Sequence, residues 1–289
     1  MELESMAIRI ARNENLPVLP QVARFMLERT NDPNLSAREI EKVVEKDPAI
    51  AAKVIKAASS AQFGGNSLTS IGAAITILGL QQLKQIVMSA SFQAMLSNGQ
   101  PAGEFNPMEY WRHSIAVGAG AKIMGRLKGL KNVEELYMAG MLHDVGMLVM
   151  VRFLPAKFDL ILAQAISENR PIHEVEQEIL GWDHTQVGDL LAQKWGLSPV
   201  IRAAIRFHHQ PLFDEDQPTT TAMIAVANDL SHTVGFLNNA PTCAYEVCGS
   251  ALEEIGIPAA QLPTVGEVMV NEVTKAETVL GLSQLGIAA

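Results

Sequence analysis

The chain has 289 residues, 48% of them hydrophobic and 18% charged, with a formal net charge of −9. That apolar content is enough to bury a sizeable core, and two cysteines alone, Cys243 and Cys248, exclude a disulfide framework and fit a reducing cytoplasm. The acidic balance argues against a nucleic-acid surface, which needs clustered Lys and Arg; the start Met1-Glu-Leu-Glu-Ser and the lack of an apolar run near the roughly 20 residues of a span argue against a leader or a membrane protein.

Apolar residues recur at helical spacing nearly throughout, and strand-like runs are scarce, so an all-α protein is expected. In chain order, Ser36-Ala-Arg-Glu39 fits a capping box, and Asp47-Pro48 places an N-cap before a proline at the first helical position. Ile50, Val54, Ile55 and Ala58 then form one buried face, which Gly64-Gly65 is expected to end. Ile71, Ile75 and Leu78 mark a further helix, and after Gly79 a longer one carries Leu83, Ile86, Val87, Ala90 and Met95. The breaker-rich stretch from Ser97 to Pro107 predicts a linker. Residues 1–97 are thus an N-terminal helical subdomain, packed on a second helical domain over 107–237, with 238–289 as a C-terminal helical extension. Helical patterns in the second domain fall at 107–128, 132–152, 156–168, 183–195, 198–210 and 217–237. Lys122, Arg126, Lys128 and Lys131 read as a solvated helix end, and Met138, Met141, Met147 and Met150 as adaptable core filling.

The pair His143-Asp144 lies inside the apolar run Tyr137–Val151. Each polar group buried there needs a partner, because stranded polar groups in an apolar interior cost several kcal/mol. A metal ion satisfies both, and further donors stand along the chain: His113, His184, His208, His209 and Asp229. Imidazole and carboxylate without thiolate suit zinc, iron, manganese or nickel, one or two ions in all. The spacing places the donors on separate helices converging on one cavity. A hydrogen-bonded polar core without an ion is the alternative. His173 and His232 fall outside the set and read as ordinary histidines.

The ordered set His113, His143-Asp144, His184, His208-His209, Asp229 resembles the ligand pattern of the HD metal-dependent phosphohydrolase superfamily, closely that of the HD-GYP branch, which hydrolyses cyclic di-GMP. The flanking sequence is more similar to the HDOD family, HD-related domains of bacterial signalling proteins that lack established hydrolase activity. Three stretches carry this resemblance: Asp47–Gly64, Ile71–Leu80 and Trp182–Trp195. It spans about residues 15–235 and implies an HD-like fold for the second domain. By resemblance Asp144 bridges two metals, with His113, His143 and Asp229 on one and His184, His208 and His209 on the other.

Two departures bear on activity. Met147 stands where active HD-GYP proteins carry lysine in His-Asp-Ile-Gly-Lys, and Gln210-Pro-Leu-Phe-Asp-Glu-Asp216 replaces the Gly-Tyr-Pro loop with three carboxylates that would repel a phosphodiester. A smaller one is Ser59-Ser-Ala61 in place of the common Asn-Ser-Ala. The expected function is therefore a non-catalytic bacterial regulatory module with a retained metal pocket, acting on a signalling protein or a small ligand, without nucleic acid or membrane. The alternatives are a metal-dependent phosphohydrolase acting on a nucleotide or cyclic dinucleotide, and an interaction protein whose polar cluster is only a satisfied core.

Overall fold

The computed structural model describes residues 2–12, 16–29, 32, 34–60, 63–65, 68, 70–97, 105–239, 248–280 and 282. Their regular structure is all helical: α1 (Leu3–Ala11), α2 (Gln21–Glu28), α3 (Ala37–Val44), α4 (Pro48–Ala58), α5 (Ile71–Ser97), α6 (Pro107–Leu127), α7 (Val133–Leu142), α8 (Val145–Phe153), α9 (Pro155–Glu168), α10 (Ile172–Leu180), α11 (His184–Trp195), α12 (Pro199–Phe207), α13 (Pro218–Thr233), α14 (Gly249–Ile255) and α15 (Leu262–Leu280). The chain divides into two compact units, residues 18–98 with 271–289, and residues 1–17 with 99–270.

In the smaller unit the local signals act as the sequence predicts. The Ser36 hydroxyl accepts from the Glu39 N–H at 3.3 Å and the Glu39 carboxylate accepts from the Ser36 N–H at 3.0 Å, closing the capping box. Asp47 accepts from the Ile50 N–H at 3.1 Å ahead of Pro48. The helix then ends at Ala58, earlier than expected, with Gly64 and Gly65 in a following turn at positive φ. Gly79 breaks α5 with φ 72° and ψ 165°, a conformation closed to other L-residues at ordinary cost. Beyond it Leu83, Ile86, Val87, Ala90 and Met95 are buried, as their spacing implies.

The larger unit departs from the expected boundaries. Helix α1 belongs here and not with the N-terminal helices: Met6 and Ile10 are buried, Lys194 Nζ donates to the Ala11 carbonyl at 3.0 Å, and Arg152 Nη1 donates to the Leu16 carbonyl at 3.0 Å. Nor is 238–289 a separate extension. Ala251, Ile255, Val265 and Met269 are buried, α14 packs on α13, and the unit runs to Val270. Cys243 and most of the expected linker lie outside the described residues, while Cys248 is exposed.

Three local expectations are corrected as well. The predicted helix 132–152 is two, since the chain leaves helical geometry at Asp144 (φ −95°, ψ 12°), the N-cap of α8, directly after His143, the C-cap of α7. Lys122 is not solvated; it is buried, with Nζ 2.6 Å from Glu134 Oε1. And two segments, Ile71–Leu96 and Val133–Phe153, do have the length and hydropathy of a membrane span. The second is almost wholly buried and the first half buried, and each is interrupted, at His143-Asp144 and at Gly79, as core helices can be.

Two close approaches between helices set the frame for the polar cluster. At the first, α6 and α7 meet backbone to backbone: a Cβ on Gly140 would lie 2.8 Å from Gly118 Cα, and one on Gly118 would lie 2.7 Å from the Tyr137 carbonyl oxygen. At the second, α8 meets α11: a Cβ on Gly146 would lie 1.8 Å from the His184 carbonyl oxygen, and one on Gly188 would lie 3.1 Å from the Gly146 backbone nitrogen. Around these crossings Trp111, Tyr110, Ile115, Met138, Met141, Met147 and Met150 fill the interior.

Gly146→Ala must therefore push α8 off α11, at a cost of about 3 kcal/mol, as for overpacked cores. Gly249→Ala, where the added Cβ meets nothing within 4 Å, serves as control. Denaturant unfolding checks this, and equal midpoints for the two variants would mean that the crossing has slack.

Candidate metal centre

Each donor is placed by a separate local device. His113 lies in the second turn of α6, begun by Asn106, whose side chain accepts from the N–H groups of Met108 and Glu109, followed by Pro107 at the first helical position. His143 and Asp144 occupy the break between α7 and α8. His184 is the first residue of α11, held by a capping box in which Asp183 accepts from Thr185 and Gln186 and the Gln186 side chain accepts from the Asp183 N–H. His208 caps the C-terminus of α12 and His209 follows it.

These residues converge. Asp144 Oδ2 lies 3.5 Å from His113 Nε2 and 3.3 Å from His143 Nε2, while Oδ1 lies 3.2 Å from His184 Nε2 and 3.3 Å from His208 Nε2. Among the imidazoles, His113 and His143 Nε2 are 3.3 Å apart, His184 and His208 Nε2 3.4 Å, and His184 and His209 Nε2 3.1 Å. Two donor groups result, His113–His143–Asp144 and Asp144–His184–His208–His209, sharing one carboxylate. His113, His143, Asp144, His184 and His208 are each at most 2% exposed.

The opposite ring nitrogens decide whether these donors suit a cation. His113 Nδ1 lies 3.0 Å from the Phe236 carbonyl, His143 Nδ1 2.6 Å from the Gly140 carbonyl, and His208 Nδ1 3.1 Å from those of Ala204 and Ile205. Carbonyls only accept, so Nδ1 carries the hydrogen and Nε2 of the neutral ring presents a lone pair. Lone pairs facing one another and a carboxylate in a dry interior repel unless a cation lies between them. The separations of 3.1–3.5 Å also match the roughly 3.0–3.4 Å edges of a coordination shell with bonds of about 2.1 Å. The residues therefore fit one or two transition-metal ions.

The electrostatics agree. Burial alone would raise Asp144, but the interaction with His143 and the imidazoles of His184 and His208 set against it hold it well below the usual carboxylate range. Burial pushes His113 and His209 well below the usual imidazole range and His208 down to about 4, so these rings stay neutral, as ligands must. His184 is the exception. Burial is outweighed there by the charges of Glu176 and Asp144, which raise it well above its ordinary value.

Glu176 was not legible as a site residue. It lies on α10, a helix absent from the sequence reading, is fully buried, and accepts from both the backbone N–H of His184 (2.8 Å) and its Nδ1 (2.7 Å). A carboxylate behind a histidine fixes the ring and strengthens its free nitrogen as a donor. The signal was there: Ile172, Val175, Glu176 and Ile179 share one helical face, so this carboxylate sits in an apolar stripe. Asn238 Nδ2 donates to Asp144 Oδ2, and the Ser231 hydroxyl lies 2.9 Å from His113 Nδ1. His173 and His232, set aside above, border the cluster as second-layer rings: His173 stacks on His209 at 3.8 Å between centroids, and His232 lies 5.0 Å from His113.

Asp229 is the one expected ligand not brought in. It belongs to neither donor group, and its Oδ2 faces the Cys248 N–H at 3.4 Å. On α13 the buried polar side chains are Thr221, Asn228, Ser231 and His232, and the helix phase that delivers Ser231 to His113 leaves Asp229 toward α14. Burial there raises its carboxyl to about 7.

An all-helical frame carrying a buried His/Asp cluster with a shared carboxylate defines an HD-type domain. Residues 16–211 match the HDOD domain, and the chain belongs to the HDOD family. It is similar to an uncharacterised protein of Treponema pallidum, 23% identical over 82% of this chain and 47% of that protein. It is also similar to a protein named Ribonuclease Y from Geobacter metallireducens, 26% identical over 74% of this chain and 32% of that protein. The chain thus spans half or less of the length of these relatives. Among crystal structures, an HDOD domain protein from Geobacter sulfurreducens superposes with a TM-score of 0.74 at 21% identity, over 99% of this chain and 100% of that one. A candidate phosphohydrolase from Shewanella amazonensis gives 0.71 at 21% identity over 96% and 98%, and a candidate signal transduction protein from Marinobacter aquaeolei 0.79 at 23% over 98% and 65%. At these identities the likeness is one of fold.

Removing Glu176 is expected to loosen the metal held through His184. Glu176→Ala should weaken retention about 10- to 100-fold in chelator competition, the usual range for such outer partners, with Glu176→Gln in between. Retention unchanged in both would remove Glu176 from the site.

Proposed function

We propose that this HDOD chain is a regulatory module of the bacterial cytoplasm that responds by binding a partner protein or a small ligand, with hydrolysis no part of its role. In this reading His113, His143 and Asp144 hold one divalent ion, and His184, His208, His209 and Asp144 a second, drawn from iron, manganese, zinc or nickel. The observation that carries the proposal is the burial of the donors: His113 and His143 are 0% exposed and Asp144 and His184 1%. A site closed to this degree suits an ion that stabilises or sets a conformation, since catalytic sites keep an open position. Met147 supports the same reading, being buried with an uncharged thioether where a phosphate-binding cation would stand. Binding metal between α6, α7, α8, α11 and α12 ties together helices that otherwise hold mutually repelling groups, and makes the fold depend on the ion.

A second reading is a metal-dependent phosphohydrolase acting on a phosphodiester. It is favoured by the shared carboxylate of Asp144 and by the similarity to a protein named Ribonuclease Y. Such ions, when bound, polarise phosphoryl oxygens and lower the pKa of water. The residues of this chain would hold the ions and fix the imidazole tautomers through Gly140, Glu176 and Phe236.

Elemental analysis of tag-free protein separates the readings when combined with turnover assays. One to two equivalents of metal are expected in the wild type and none in Asp144→Ala, with a lower melting temperature in the variant. Asp229→Asn should keep the wild-type content. Neither bis(p-nitrophenyl) phosphate, cyclic di-GMP nor short RNA should be hydrolysed. Metal-dependent turnover that vanishes in Asp144→Ala would establish the hydrolase instead.

A further inference from the structure

Directly after the ligand pair His208-His209 the chain makes a 3-10 turn, Pro211–Phe213. Its two apolar side chains point outward: Leu212 is 62% exposed and Phe213 70%, the latter the most exposed of the large hydrophobic residues described. The turn holding them is braced on both sides. Pro211 is buried, and the Phe213 N–H donates to the Gln210 carbonyl at 3.0 Å. Asp214, also buried, accepts from the N–H groups of Asp216 (3.2 Å) and Gln217 (3.0 Å) and from the Thr221 hydroxyl. A fixed turn that leaves Leu and Phe side by side in water has the form of an anchor for another molecule.

Charge identifies the occupant. Glu215 and Asp216, next in the chain, are exposed. Thr219 Oγ1 donates to Glu254 Oε1 at 2.7 Å, which brings a carboxylate of α14 to the start of α13. Among the described residues from Phe207 to Val270 the exposed charged side chains are Glu215, Asp216, Glu253, Glu254 and Glu267, and that stretch holds no Lys or Arg. An acidic rim of this kind repels nucleic acid, an anionic lipid surface and an equally acidic second copy of the chain, and attracts a cationic partner.

We propose that Leu212 and Phe213, followed in the chain by the exposed carboxylates Glu215 and Asp216 and leading into a helix whose start holds Glu254, form a docking site for a basic amphipathic segment of a partner protein. Apolar anchors of the partner cover Leu212 and Phe213 while its Lys and Arg face the carboxylates, in the manner of an amphipathic helix laid on an apolar patch. The proposal rests on the regulatory reading above and gives it a surface, one joined to the metal ligands by Gln210 alone.

The test uses the full chain, metal-loaded, and two synthetic amphipathic helical peptides with Leu on one face and either Lys or Glu on the other. Fluorescence anisotropy should detect saturable binding of the Lys peptide that weakens with added salt, and none of the Glu peptide. The double variant L212S/F213S should lose about tenfold or more in affinity, and E215Q/D216N should flatten the salt dependence. All four positions are exposed and none is a metal donor, so metal content should match the wild type in both variants, and turnover is read on the wild type and on L212S/F213S, which leaves the loop carboxylates in place. These two readouts report on the regulatory reading separately: a failed peptide assay with metal bound and no turnover sinks only the docking site. Equal binding of both peptides, or affinity unchanged in both variants, overturns it. So does a wild-type dimer in sedimentation that L212S/F213S converts to monomer, which would assign the patch to a second copy.

Discussion

Everything in the larger unit answers to one demand, that the Asp144 carboxylate be buried and still be satisfied on both oxygens. One oxygen meets His113, His143 and Asn238, the other His184 and His208. A lone carboxylate in such surroundings would take a proton or refuse burial. Here its contacts with the surrounding imidazoles, that of His143 foremost, hold it well below the usual carboxylate range. Helices α6, α7, α11 and α12 each deliver an imidazole to within about 3.5 Å of a single carboxyl group. The break between α7 and α8 follows from the same demand, since His143 and Asp144 are adjacent in sequence and both must reach inward.

The glycines complete that arrangement. Side chains of ordinary reach can meet around one carboxylate only if the helices bearing them approach more closely than usual, and the pairs Gly118/Gly140 and Gly146/Gly188 permit it. Gly146 comes two residues after Asp144, and its close neighbour is the backbone of His184 itself. A short motif thus holds a ligand pair and the space that admits the next ligand's helix.

Much of this was legible in the sequence. Polar residues in an apolar run stand out, and the capping signals at Ser36 and Asp47 depend only on local hydrogen bonding, so they could be read without tertiary information. What failed was whatever depends on which way a helix turns. Asp229 fits the ordered ligand pattern, yet the phase of α13 directs Ser231 and not Asp229 toward His113. Helix α10, Ile-His-Glu-Val-Glu-Gln-Glu-Ile-Leu, looks solvated by composition, and only its apolar face, Ile172, Val175 and Ile179, marks Glu176 as interior. The assignment of α1 was missed for a related reason, because its partners Arg152 and Lys194 are more than a hundred residues away.

The long span of the cluster in sequence has a consequence for biosynthesis. His113 is held by Ser231 and Phe236, and Asp144 by Asn238. While the chain is still being made, His143 and Asp144 emerge from the ribosome well before these residues, and chains fold from the N-terminal side as they appear. For that interval the nascent protein carries His113, His143 and Asp144 with the partners that enclose them still to be made, and the seven residues that follow His232 act as the closing latch.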